Sequence, residues 1–335
     1  MKMNINLKEK IIDIHSHAGV SLKAYMNQEY PYAATIEGLA FRQERFGIDV
    51  NVVFPMSPDL FFDSHYLKKG VCKNAKRPLS PVPYEIENSL LLKEVYSFCP
   101  EYEGRFIPFI SVDPGRVVKK QVKNILNLEK KYKIHGIKIA PVICQSSILC
   151  LLDEGKVFVD IAKERNWPLL IHTTVHKEEN FSHARLVFKV IEKNPDIRFC
   201  LAHCIGFDKN YLNLANNMEH VWVDTSALTI QVQLARENHP IAAPEKDRFD
   251  ADYSDHKKVL RALVEAFPET IIWGTDTPAY SYIARRKQGT GKDSYVETWL
   301  KATYEDEVDA LNALPENMRI NIANKNSITF LSGRL

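Results

Sequence analysis

The chain has 335 residues, 45% of them hydrophobic and 26% charged, and its 44 Lys+Arg against 42 Asp+Glu leave a formal net charge of +2. That balance argues against nucleic acid or an anionic membrane as a partner, and no run nears the roughly 18 to 20 apolar residues of a membrane helix. The six cysteines hold no C-x-x-C pair and are few for a disulfide framework; with no apolar leader core in the first ten residues, a reduced, cytoplasmic protein is expected.

In chain order, the first strand-like run is 11–16, apolar and β-branched, and it leads into His15-Ser16-His17. A helical pattern over 35–46 ends at Gly47 and precedes a second run, 50–56. A long segment, 57–84, follows with Pro58, Pro78, Pro81 and Pro83, then a helical pattern over 85–98 and a third run, 106–112. Helix 116–132 leads to the run 136–141 around Lys138, helix 156–165 to 168–174 with His172, and helix 183–193 to 198–204 with His203. A shorter helical candidate, 208–218, precedes 221–226; after the long segment 227–254, helix 255–267 leads to 271–276, which ends in Asp276. The tail, 295–335, reads as two helices.

Eight nearly continuous apolar runs separated by helical crossovers predict an α/β fold of the (β/α)8, TIM-type barrel kind, in one domain spanning 1–335. An open doubly wound sheet lacks its glycine fingerprint here. The segments 57–84 and 227–254 leave the C-terminal ends of the second and seventh strands, where barrel enzymes build their sites, and are expected as lids or substrate walls.

Side chains alternate along a strand, so period-two counting puts His15 and His17 on one face, with Asp13 beside them as an outer partner. Two imidazoles so placed form a metal-ligand geometry. Lys138, His172, His203 and Asp276 are polar residues at strand positions that a barrel core does not otherwise tolerate, and all converge on one mouth.

The chain resembles the amidohydrolase superfamily. The likeness rests on Asp13-Ile14-His15-Ser16-His17, Phe46-Gly47-Ile48-Asp49-Val50, Arg105-Phe106-Ile107-Pro108-Phe109, Gly136-Ile137-Lys138-Ile139, His172, Leu201-Ala202-His203-Cys204-Ile205-Gly206, Trp273-Gly274-Thr275-Asp276-Thr277-Pro278 and Asn326-Ser327-Ile328-Thr329-Phe330. The branch it is most similar to is amidohydrolase family 2, which includes aminocarboxymuconate-semialdehyde decarboxylase. The resemblance implies an enzyme with one divalent metal, most often Zn2+, with Mn2+, Fe2+ or Co2+ as alternatives. It implies His15, His17, His172 and Asp276 as ligands, Asp276 also as general base, and His203 as a hydrogen-bonding catalytic residue. For Lys138 the resemblance leaves open substrate binding, a carboxylated bridge between two metals, and a structural role with the ammonium turned away. The implied reaction is hydrolysis of a small-molecule amide, ester or lactone; the alternative is a lyase, a decarboxylase or hydratase acting on an aromatic or unsaturated acid. A homodimer is the prior for its assembly.

Overall fold

The computed structural model describes residues 6–27, 31–278, 282–287, 295–300 and 302–333, with the backbone course alone for 282–287 and 295–299. Its parallel strands are β1 (Ile12–Val20), β2 (Val50–Pro55), β3 (Phe106–Pro108), β4 (Ile110–Val112), β5 (Ile137–Ile139), β6 (Leu169–Ile171), β7 (Phe199–Leu201), β8 (Val221–Asp224) and β9 (Ile271–Ile272). They neighbour one another in sequence order. Phe109 alone separates β3 from β4, and its N–H donates to Val53 O at 2.9 Å, so the two form one bent strand. At the far edge Ile14 N–H donates to Trp273 O (3.2 Å), Asp276 N–H to His15 O (2.8 Å) and His17 N–H to Thr277 O (2.7 Å). These bonds carry β1 onto the segment after β9 and close the ring. Gly274 permits the closure, because a Cβ there would stand 2.9 Å from His15 Cβ.

The two faces of the strands are both covered, as their continuous apolarity requires. Ile12, Val50, Val52, Phe54, Leu170, Cys200, Trp222 and Ile272 meet in one cluster drawn from all round the ring, which is its interior, with Phe330 and Leu331 packed into it. The alternate residues Ile137, Ile139, Leu169, Ile171, Phe199 and Leu201 face outward onto the helices. The helix Ile36–Phe46 shows how local sequence sets these layers. Thr35 caps it by accepting from Gly38 N–H, Gly47 ends it at φ 70°, and Ile36, Leu39, Ala40 and Gln43 form its buried face.

Both long segments are docked against the barrel's C-terminal end. Within 57–84, Phe61, Phe62, Leu67 and Cys72 make a small core of their own. Gln145, beyond β5, accepts from Cys72 N–H (2.9 Å) and donates to Gly70 O (2.7 Å). Within 227–254, the helix Leu228–Arg236 is followed by chain that bonds the turn after β7: Ala243 N–H donates to Gly206 O and Phe249 N–H to Phe207 O, both at 2.8 Å.

The expectation of two helices over 295–335 needs correction. Tyr295–Leu300 (β11) is a strand, paired antiparallel with Tyr282–Lys287 (β10), in keeping with the β-branched and aromatic residues Tyr295, Val296, Thr298 and Trp299. Helix begins at Tyr304–Asn312 and resumes at Glu316, running to Ser332 through a π-turn at Asn321–Lys325. Residues 301, 334 and 335 of that segment, and residues 1–5 of the expected leaderless N-terminus, lie outside the described residues. Among the described residues no helix is long and apolar enough to cross a membrane.

Glu307, in the first of these C-terminal helices, is 1% exposed and accepts from Thr229 N–H at 2.9 Å. Burial pushes its pKa from 4.5 up to about 8. The folded state therefore holds a proton that the unfolded chain releases, and stability falls as pH rises through the window from 4.5 to 8. Each pH unit inside the window costs up to about 1.4 kcal/mol. Glu307→Gln keeps the acceptor oxygen without the charge. Thermal unfolding of this variant is expected to match the parent at pH 4.5 and exceed it at pH 8; parallel curves at both pH values would show that the carboxyl is not the cause.

Candidate active site and metal centre

The site begins with an irregularity in β1. Asp13 pairs with Asn51 and Ser16 with Val53, so Ile14 and His15 together lie opposite Val52 alone. This bulge resets the alternation. Below it Ile12 points into the ring; above it Ser16 donates outward to Val52 O (2.7 Å), and the rings of His15 and His17 turn inward to flank Phe54.

Asp13 is thereby corrected: it does not share the histidines' face. It lies between the strand layer and the helices, fully buried. There it accepts from Asn51 Nδ2 (2.9 Å), Thr275 N–H (3.0 Å), Thr275 Oγ1 (2.7 Å) and His15 N–H (3.1 Å). Burial outweighs these bonds and lifts its pKa to about 7. It supports His15 through the backbone, without touching an imidazole, and staples β1 to the closing segment.

Inside the mouth, Asp276 Oδ1 lies 3.2 Å from His15 Nε2 and 3.1 Å from His17 Nε2. The ligand atoms of these three residues fall within 4.8 Å of one another. Asp276 sits at φ 61°, a left-handed backbone that aims its carboxylate back across the mouth. His15 Nδ1 faces the Asp224 carboxylate at 2.9 Å and His17 Nδ1 faces Pro55 O at 3.2 Å. Both partners accept only, so both Nδ1 atoms carry hydrogen, and in the neutral rings each Nε2 presents a lone pair towards Asp276.

The electrostatics follow from this crowding of acceptors. Burial and the Lys138 ammonium press the His15 pKa down, but Asp224 and Asp276 outweigh them and it stands above the ordinary imidazole value. Burial takes His17 down to about 4 despite Asp276. Asp276 is held well below the carboxylate range, because the neighbouring imidazoles outweigh the burial that would raise it. Two imidazole nitrogens and an ionised carboxylate oxygen facing one another need a positive charge among them, and a divalent cation fits that donor set.

Lys138, 2% exposed, points to the same place, with Nζ 3.0 Å from His15 Nε2 and 4.5 Å from the Phe54 ring centre. Burial brings its pKa down to about 8. A single Nε2 lone pair cannot serve both this ammonium and a metal, so loading the site requires Lys138 to yield its hydrogen bond.

His172 and His203 stand beside the trio as a linked pair, and His172, expected as a ligand, lies outside the group whose ligand atoms fall within 4.8 Å of one another. His203 Nδ1 lies 3.1 Å from Ser226 O and so carries the hydrogen; its Nε2, 3.0 Å from His172 Nδ1, is left to accept. His172 then donates from Nδ1 and keeps its Nε2 lone pair, the state in which it would serve as a further ligand. Burial lowers the pKa of both rings, which keeps them neutral. His203 opens a run of five residues, His203 to Phe207, with φ between 49° and 63°. Such a left-handed turn costs about 1–2 kcal/mol per non-glycine residue, and the bonds from Ala243 and Phe249 hold it in place.

The residue that sequence reasoning missed is Asp224, fully buried at the end of β8. It bonds His15 Nδ1 and the backbone N–H of His203 (3.1 Å). The signal was present: Trp222 faces the ring interior, and a carboxylate two positions further along the strand faces the same way. Cys200 and Cys204 are buried free thiols, and Cys200 Sγ–H donates to Asp224 Oδ2 at 3.7 Å.

The family model described as Amidohydrolase matches residues 12–332. Sequence comparison with curated proteins gives no match. Among solved structures, the chain is similar to 5-carboxyvanillate decarboxylase LigW from Sphingomonas paucimobilis (11% identity, TM-score 0.54), over 96% of this chain and 98% of that one. It is similar to IDCase from Metarhizium anisopliae (14% identity, TM-score 0.55, 97% of each chain). It is also similar to a protein from Pseudomonas putida described as a putative 2-pyrone-4,6-dicarboxylic acid hydrolase (14% identity, TM-score 0.54), over 97% of this chain and 98% of that one. At these identities the likeness speaks to the fold.

Proposed function

The chain belongs to the amidohydrolase family, a family of metal-dependent enzymes, and on that premise we propose that it hydrolyses an amide, ester or lactone of a small molecule. The observation that carries the proposal is the convergence of His15 Nε2, His17 Nε2 and Asp276 Oδ1 at the barrel mouth. His15, His17 and Asp276 would hold one divalent cation, taken as Zn2+, with His172 Nε2 as a fourth donor. When bound, the cation acidifies a water from about 15.7 towards ~7 and polarises a carbonyl.

The chain's own residues do the rest. Asp276, kept ionised by its neighbours, accepts the proton from the attacking water and returns it to the leaving group. His203, held by Ser226 at Nδ1, accepts from His172 Nδ1 and so keeps the His172 Nε2 lone pair aimed into the mouth. The docked 57–84 and 227–254 segments wall the mouth and limit water around it.

Lys138 favours a second reading, a lyase acting on an aromatic or unsaturated acid. It is a buried cation in contact with His15 and the Phe54 ring; the Asp224 and Asp276 charges reach it, but among the described residues no carboxylate is ion-paired with it, so a substrate carboxylate would find a partner there. The decarboxylase and the dicarboxylic acid hydrolase among the similar structures suit an acidic substrate equally. The remaining role for Lys138 is a carboxylated bridge between two metals.

One panel of acids, lactones, esters and amides, followed for CO2 release and for carbonyl-bond cleavage, separates these readings. Cleavage without CO2 supports the hydrolase; CO2 release without cleavage transfers the assignment to the lyase. On an acidic substrate of either kind, Lys138→Met is expected to raise KM by roughly ten- to a hundredfold, the worth of a charge-assisted hydrogen bond. Metal content should stay at one per chain. A fall from two metals to one or none would instead mark Lys138 as a bridge.

A further inference from the structure

We propose that Asp224 is the positioning residue that makes His15 a metal ligand and locks it in register with the His203 turn, an inference that rests on the metal-centre reading above. One fully buried carboxylate serves both sides. Its Oδ2 accepts from His15 Nδ1 at 2.9 Å; its Oδ1 accepts from His203 N–H (3.1 Å), Ser226 N–H (3.0 Å) and Ser226 Oγ–H (2.5 Å). Ser226 in turn offers its carbonyl and hydroxyl oxygens to His203 Nδ1. Asp224 thus ties a residue of β1 to the strained turn that presents His203.

The carboxylate also decides which His15 nitrogen is free. It has no hydrogen to give, so His15 must carry its proton on Nδ1 and leave Nε2, the atom beside Asp276, with a lone pair. An amide of the same shape inverts this. In Asp224→Asn the side-chain oxygen is claimed by the two backbone N–H groups of His203 and Ser226, and the NH2 group falls to His15. Nδ1 must then accept and the proton moves to Nε2, where Asp276 Oδ1 receives it and Lys138 Nζ loses its acceptor, so the lone pair that would meet the cation is gone. The backbone donors stay satisfied, so the fold is expected to survive.

The test compares parent and Asp224→Asn by imidazole 15N spectra of metal-stripped protein, in buffer alkaline enough for neutral rings, and by competition titration with Zn2+. The parent is expected to show His15 as the Nδ1–H tautomer. The variant should show Nε2–H and bind Zn2+ at least about 10- to 100-fold more weakly, the range for losing a metal ligand's outer partner. Thermal unfolding of the metal-stripped variant should stay within a few degrees of the parent. Unchanged tautomer and Zn2+ affinity in the variant overturn the proposal. If the parent takes up no Zn2+, the metal-centre reading fails, yet the tautomer comparison still decides whether Asp224 sets the ring. If the variant does not fold, the parent spectrum decides alone: Nδ1–H supports the role and Nε2–H overturns it.

Discussion

Asp276→Asn is expected to lower kcat by about 100- to 10,000-fold, the usual worth of a positioned general base, in a protein that stays folded and keeps most of its metal. The substitution suits the position. Asp276 has φ 61°, a left-handed conformation in which Asn is among the few well-tolerated residues. The amide oxygen replaces the carboxylate oxygen that faces His15 and His17, so the donor set stays complete with one negative charge fewer. What disappears is the capacity to take a proton from water. Metal analysis beside steady-state kinetics checks both halves. A kcat within a few-fold of the parent would remove Asp276 from the proton path, and loss of metal would make it chiefly a ligand.

The second large effect concerns the two histidines of β1, and they should differ. His17→Ala is expected to release the metal, with a loss of affinity beyond the roughly 10- to 100-fold of an outer-partner change. The metal-free fold should be little disturbed, since the ring is partly exposed and its Nδ1 bonds only Pro55 O. His15→Ala should release the metal and also destabilise the metal-free protein. It strips the imidazole from the buried Asp224 carboxylate and from Lys138 Nζ, and an uncompensated buried charge costs about 3–5 kcal/mol. Elemental analysis and denaturant unfolding of both variants distinguish these outcomes. Full metal content in both would refute the site, and equal stability would refute the difference in burial.

Much of this was legible in the residues. Continuous β-branched runs announced parallel strands covered on both faces, and polar residues at their C-terminal ends, which an apolar core would reject, marked the mouth. The parity of Asp13 was not legible, because a period-two count assumes a regular ladder and a bulge leaves no fixed trace in composition. Asp224 was hidden for a different reason. Its importance lies in bonds to residues far along the chain, His15 among them, and no local pattern reports such a partner. The strand at Tyr295–Leu300 was misread because charged and polar residues among aromatic ones satisfy a helical period as readily as a strand's.

The ring closure makes the site a clasp between distant parts of the polymer. Asp13 and Thr275, 262 positions apart, are joined by hydrogen bonds, and the adjoining residues His15 and Asp276 are two of the three that would grip the cation. A metal held there would cross-link a loop of nearly the whole chain, the case in which closing a loop removes most entropy from the unfolded ensemble. The same ion would then stabilise the folded state increasingly with its concentration, by RT ln(1 + [L]/Kd). A chelator should accordingly loosen the seam between the first and last strands before it loosens the middle of the barrel, a gradient that hydrogen exchange would read strand by strand.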